Sequence, residues 1–465
     1  MADDQIELMA HLMRRVGVGA RRDALEVLAE RPYEDVVEEL LHPDELTDPD
    51  QDVFDRYLPV LLATELPESP GSRWIYNMAN GPRPLREKMA LFWHHVFATA
   101  WFKSSHARAI TAQIELFREN GLGSMRQILL DLSRDPCMID WLDNSENHAH
   151  ANNENYGREL LELFSLGIGN YTEDDVKAAA RAFTGWTFQQ PWPRYPYSEG
   201  IAPIFKFDET DHDFEEKTFL GQTVFDGEDV INVIVKEEAC ARFISRHLYN
   251  FFVADEPGVA SWVATPPRDQ DAIDILVATF VDSDGDIREV MRTLLNSEFF
   301  KEARFQRVKS PAEFVGGVVT LAGTPQFPDF STTELWRATM LMGQALMNPS
   351  SVEGWHTGQE WLDSGTLTER VNFAVKNLMD TSNPGVASII ERVAASGDAT
   401  PDEFVERCLD MCGPLQFSED SRATLIDFAE QGGLLSFREG VTEEVEGRIG
   451  RMVQLIVSAP EYQFA

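Results

Sequence analysis

"NENYGRELLELFSLGIGNYTEDDVKAAARAFTGW", residues 153–186, reads as two short helices folded back on each other. Asn152 or Asn153 offers a side-chain oxygen to the first free amides of a helix beginning near Glu154. Gly167 stands where a left-handed residue would end that helix. Tyr156, Leu160, Leu163 and Phe164 recur at helical spacing and make its buried side. Thr172 then caps a second helix, and Asp175 occupies the reciprocal position of a capping box. Val176, Ala179, Ala180 and Phe183 form its inner stripe, with alanines small enough for close approach, and Gly185 closes it. The unit is an αα-hairpin.

The same period governs the rest of the chain. "RPYEDVVEELLHP" (31–43) opens on a proline and stops before another, as a helix should. "LREKMALFWHHVFATAWF" (85–102) places Leu85, Met89, Phe92 and Val96 on one stripe. Comparable patterns cover 107–120, 122–134, 237–253, 285–297, 311–322, 333–347, 366–379, 402–411, 419–431 and 442–458. The expected class is all-α: a large multi-helical domain with an irregular insertion carrying a short β-hairpin. That insertion, 187–228, separates an N-terminal helical region (1–186) from a C-terminal one (229–465). Its "KTFLGQTVF" (217–225) reads as two short strands about a Gly221-Gln222 turn. Loops longer than about 15 residues inside a domain are usually lids or disordered. This one holds Trp192, Tyr195, Tyr197, His212 and Lys217, which favours a lid. A second such loop spans 348–366.

Composition narrows the function. Against 78 Asp and Glu stand 40 Lys and Arg, a net charge of −38, so phosphate-coated partners such as nucleic acid or an anionic membrane would be repelled. No run of about 20 apolar residues is present to span a bilayer, so no membrane insertion is expected. The N-terminus shows no apolar signal segment, and as given the chain reads as cytoplasmic. Cys137, Cys240, Cys408 and Cys412 are too few for a disulfide framework.

Within the hairpin, Asn155, Glu159 and Glu162 share a narrow strip, because spacings of four and three are each nearly one turn. Such a strip can face an interhelical pocket where carboxylates bind metal or exchange protons. It can also be a solvated ladder, since Glu154, Arg158 and Glu162 stand four apart.

These residues resemble the bacterial family called domain of unknown function 1800, whose hallmark runs close to Asn-Glu-Asn-Tyr-Ala-Arg-Glu-Leu-x-Glu-Leu-x-x-Leu-Gly. Asn153 through Gly167 match it with Gly157 in place of alanine, followed by Tyr171, Thr172, Asp175, Val176 and Thr184-Gly185-Trp186. The likeness continues through "HLMRRVGVGA" (11–20), "REKMALFWHHVFAT" (86–99), "WLDNSEN" (141–147), "HDFEEKTFLG" (212–221), "VKSPAEFV" (308–315) and "NPSSVEGWHTGQEWLDSGTLTERVN" (348–372). The resemblance implies no established activity. It implies that many relatives are exported, and that a sulfatase- or phosphatase-like neighbour is a candidate partner protein. The family's Trp-His-x-His-Phe pattern places its first histidine on His94 and its second on Val96, so a metal pair there has lost a ligand.

Other groups are less pointed. His148 and His150 stand in a polar loop, His212-Asp213 with Lys217 precedes the strands, and Glu353 and His356 have a metal-protein spacing broken by Gly354. No Walker loop, dinucleotide glycine fingerprint, Gly-x-Ser-x-Gly elbow or His-Glu-x-x-His helix occurs. The leading expectation is an enzyme of unknown reaction. Glu159, Glu162, His212 and Lys217 would be catalytic, while Asn155, Arg158, Trp186 and Trp355 would bind substrate. A divalent metal, if used, would fall to His94, Glu159 and Glu162. The rival expectation is a non-catalytic helical scaffold that binds a partner protein.

Overall fold

The computed structural model describes residues 2–43, 46, 56–57, 66–104, 106–189, 202–258, 261–323, 330–438 and 440–465. Of the described residues, 64% are helical and the sheets among them are two antiparallel strand pairs, so the class is all-α. The helix Pro84–Val96 lies at the centre. Its apolar stripe is buried as the spacing predicts, but Glu87, Lys88 and His94 are buried as well. A helix with so little solvent face has neighbours on all sides. It packs against Glu68–Asn80 and Ala107–Asn120, and also touches Ala2–Val16.

Helices from both sides of the insertion share one apolar cluster, from Ile6 to Tyr462. Glu68–Asn80 packs on Pro311–Ala322 and Leu335–Leu341, and Tyr33–Leu41 packs on Ile287–Asn296. The four cysteines are free and buried. No described helix is long and apolar enough to cross a membrane.

The hairpin forms as its sequence dictates. The first helix runs Asn155–Glu162, and Asn153 Oδ1 accepts the Asn155 amide at 3.0 Å. Gly167, at φ +78°, returns its amide to Leu161 and ends the turn. The second helix, Glu173–Ala182, carries the complete Thr172/Asp175 capping box. Asn144 and Asn147 pin that helix by donating to the carbonyls of Phe183, Trp186 and Ala180.

The insertion contains two strand pairs. Trp186–Gln189 pairs with Ile204–Phe207, which the sequence reading did not foresee. Lys217–Phe219 pairs with Gln222–Val224 about Leu220-Gly221. Both turn residues have positive φ, 47° and 76°, the geometry that suits a two-residue hairpin. The turn therefore sits one residue earlier than Gly221-Gln222. The aromatic residues Trp192, Tyr195 and Tyr197 lie outside the described residues.

Candidate functional site

Glu162 lines a cleft of about 640 Å³. One wall is the end of the first hairpin helix and the turn after it, with Leu163, Leu166 and Ile168. The opposite wall is the helix Glu238–Phe252, which presents Glu238, Arg242, Phe243 and Arg246. Trp262 and Glu353 complete the lining. The hydroxyl of Tyr171 donates to Glu162 Oε2 at 2.9 Å.

Glu159 stands one turn earlier and is half-buried. Burial, then the charge of Glu162, pushes its carboxyl up to about 7, Arg158 opposing and Glu353 adding to the rise. Carboxylates from two distant stretches thus bear on Glu159 and, with burial, favour its neutral form.

The cations nearby are spent on other partners. Arg246 directs Nε and one terminal nitrogen to Glu256, at 2.9 and 2.6 Å, and lies 4.5 Å over Trp262. Arg242 bonds Asp274 and Glu238. Arg158 grips both oxygens of Glu173 at 2.7 and 2.8 Å and reaches Glu154 at 3.2 Å. Its guanidinium therefore straps the two hairpin helices together.

Histidines back the cleft. His247 packs against Phe243 and Trp262, and its buried Nε2 has no hydrogen-bond partner. Burial, then the nearby His95 and Arg246, holds it well below the usual histidine range. His95 stacks parallel to Trp355 with centroids 6.3 Å apart, and burial lowers it to about 4. Gly354 makes this contact possible: a Cβ there would lie 2.6 Å from the His95 carbonyl oxygen.

The residues singled out from sequence divide. Glu162 and Glu353 line the cleft, Glu159 senses both from one turn earlier on the helix, and Trp355 follows Glu353 in its loop. Asn155 turns away and donates to the Leu142 carbonyl. His94 is fully buried and accepts the Met347 amide on Nε2 at 2.9 Å. Burial lowers it to about 3. Among the described residues, no group of three or more His, Cys, Asp or Glu is placed to hold a metal ion.

His212, Lys217 and Trp186 are not brought to the cleft. The His212 Nδ1 lies 2.7 Å from the Thr184 carbonyl, and the ring is wedged between Phe207 and Phe214. Lys217 is buried and donates to the carbonyls of Asp213 and Phe225. Trp186 packs on Phe183 and Phe205, with Arg134 over its ring. The insertion instead braces the second helix, where Asp175 accepts the Leu220 amide and Arg181 pairs with Asp213. His148 pairs with Asp211, and His356 is exposed beside Glu360.

Tyr171, Arg246, His247 and Trp262 were not singled out as site residues. "RFISRHLYNFF" (242–252) reads as a core stripe, and nothing local in it points to the carboxylates.

No curated protein and no solved structure matches the chain. A family model described as "Protein of unknown function (DUF1800)" matches residues 11–464. The match spans the hairpin, the opposing helix and the Glu353 loop, and the chain belongs to that family.

Proposed function

We propose that the cleft is the active site of an enzyme that hydrolyses a neutral or cationic polar substrate by general acid and base catalysis. Glu159 is the proton donor and Glu162 the acceptor. The observation that carries this reading is the half-buried Glu159, raised to about 7 by burial and by Glu162, beside the cleft that Glu162 and Glu353 line. A carboxyl poised there can hold a proton near neutral pH and still release it. In the proposed step, Glu159 gives its proton to the leaving oxygen or nitrogen, and Glu162 takes one from the attacking water. Exchange with solvent then restores both groups. An anionic substrate is disfavoured because Arg158, Arg242 and Arg246 already have carboxylate partners.

The test is a carbon-13 NMR titration of glutamate-labelled protein, with E159Q used to assign the signal. It is paired with melting curves in small polyols, amines and carboxylates. A Glu159 signal titrating near 7, with polyols or amines raising Tm in wild type but not in E159Q, is the expected result. Titration in the ordinary carboxylate range, or stabilisation by anions alone, would sink the proposal.

A second reading draws on the cleft's mouth, where Ile168 and Val263 are exposed. Apolar residues there suit docking of a partner protein, such as a sulfatase- or phosphatase-like neighbour, on a non-catalytic scaffold.

A further inference from the structure

The helix Glu238–Phe252, one wall of the cleft, also borders a second hollow of about 490 Å³ through Tyr249. One side of this hollow is residues 268–271, at the start of the helix Gln270–Asp282, and the other includes Phe299 and Glu302. Arg268 is anchored from behind. Its amide donates to Glu256 Oε1 at 2.6 Å, and the buried Glu256 is the carboxylate that Arg246 grips. The Arg268 guanidinium is exposed and makes no ion pair among the described residues. Asp269 spends Oδ1 on the Ala272 amide, whereas Asp271 and Glu302 are exposed and have no hydrogen-bond or ion-pair partner among the described residues.

Tyr249 distinguishes the hollow from a charged stretch of surface. It is 4% exposed, yet its hydroxyl makes no hydrogen bond among the described residues and is not sealed off from the hollow. Burial, then Asp269, raises that hydroxyl to about 12, with Arg268 opposing, so groups of both signs on the rim bear on it. It stays protonated and is a donor with nothing to receive it, which is costly in a buried side chain.

Unpaired charges of both signs around one space exclude one-sided ligands. An anion would meet three carboxylates, a plain diamine would leave Arg268 unanswered, and a neutral sugar would answer neither sign. An amino acid with a second cation satisfies both, and its methylene chain can lie on the partly buried ring of Phe299, which tilts against Tyr249 at 6.3 Å. We propose that this hollow binds a free basic amino acid, its carboxylate held by Arg268 and the Tyr249 hydroxyl and its cationic groups by Asp271 and Glu302.

Isothermal titration calorimetry on the full chain tests it, with lysine and arginine against cadaverine, which lacks the carboxylate, and glutamate. Lysine and arginine should each give saturable binding at one site, cadaverine should bind about tenfold more weakly, and glutamate should not bind. R268Q, Y249F and E302Q should each weaken lysine about tenfold, the effect of one lost hydrogen bond to a charged group. Arg268 and Glu302 are exposed, so their variants keep the fold. E162Q, in the cleft, should leave lysine binding unchanged, which separates this site from the one proposed above. Cadaverine binding as tightly as lysine, lysine affinity untouched by R268Q or by Y249F, or affinity lost in E162Q overturns the site. So does the absence of saturable heat with both basic amino acids at millimolar concentration.

Discussion

Tyr171 holds Glu162: its hydroxyl donates to Oε2 at 2.9 Å, so the turn joining the hairpin's helices fixes a carboxylate on the first of them. That carboxylate raises Glu159, but burial contributes more. E162Q should therefore bring the Glu159 titration down without returning it to the usual range near 4.5. The NMR titration reads this directly, and no change on E162Q would show that the two groups do not interact.

Stability should fall as the medium turns from acid to neutral. Glu159 has a folded-state value of about 7 against 4.5 when unfolded, so the folded state binds the proton more tightly. Its contribution is complete below 4.5 and is lost as pH rises through 7. After discounting for solvent screening of a half-buried group, about 1 kcal/mol is at stake. Asp135, buried and raised to about 7 from 3.8, acts in the same direction. Melting curves from pH 4.5 to 8 should show a shallower decline in E159Q and in D135N than in wild type.

Replacing Glu313 should do more harm than replacing Lys88. Burial would push the Glu313 carboxyl up, but Arg307 and Lys88 outweigh it and hold the group well below its usual range. E313Q strands two buried cations, at a cost of about 3–5 kcal/mol. In K88M, Arg307 still faces the carboxylate at 2.6 Å. Denaturant midpoints and soluble yield should both rank wild type above K88M and K88M above E313Q.

From sequence, Lys217 reads as a loop side chain whose loss should cost little stability. Its burial reverses that expectation. K217M leaves the Asp213 and Phe225 carbonyls without their donor, a loss of about 1–3 kcal/mol. Limited proteolysis should cut K217M faster within 205–225, with the Glu159 titration unchanged.

Reducing agent should leave Tm unaltered, since all four cysteines are free. A downward shift of several degrees would reveal a disulfide.

What the sequence made legible was local. The capping box, the left-handed glycines 167 and 185 and the alanine stripe all depend on neighbours within a few residues, and each is present. The choice between a solvated ladder and a cleft turns on Glu353, almost two hundred residues away, which no helical period encodes. The same limit explains the histidines. His94 and His95 are adjacent, and only the packing of Trp355 and Phe251 determines that His95 stacks while His94 is fully buried. Arg158 reaches Glu154 as the helical spacing allows, but its bidentate acceptor, Glu173, belongs to the next helix and no period within one helix points to it.

Gly157 has a mechanical consequence. A Cβ there would lie 3.1 Å from the Ala180 amide nitrogen and 3.2 Å from the Val176 carbonyl oxygen, so the missing methyl sets how near the two helices come. With Arg158 clamped on Glu173 across the same gap, the hairpin is a vice jaw bolted to its bench. Glu159 and Glu162 ride on that fixed jaw, while Glu353 is carried by the loop that turns at Gly354, with φ +86°. Whatever enters between them is gauged by the loop's seating on His95. A bulkier residue at 354 would reset the gap without touching a single carboxylate.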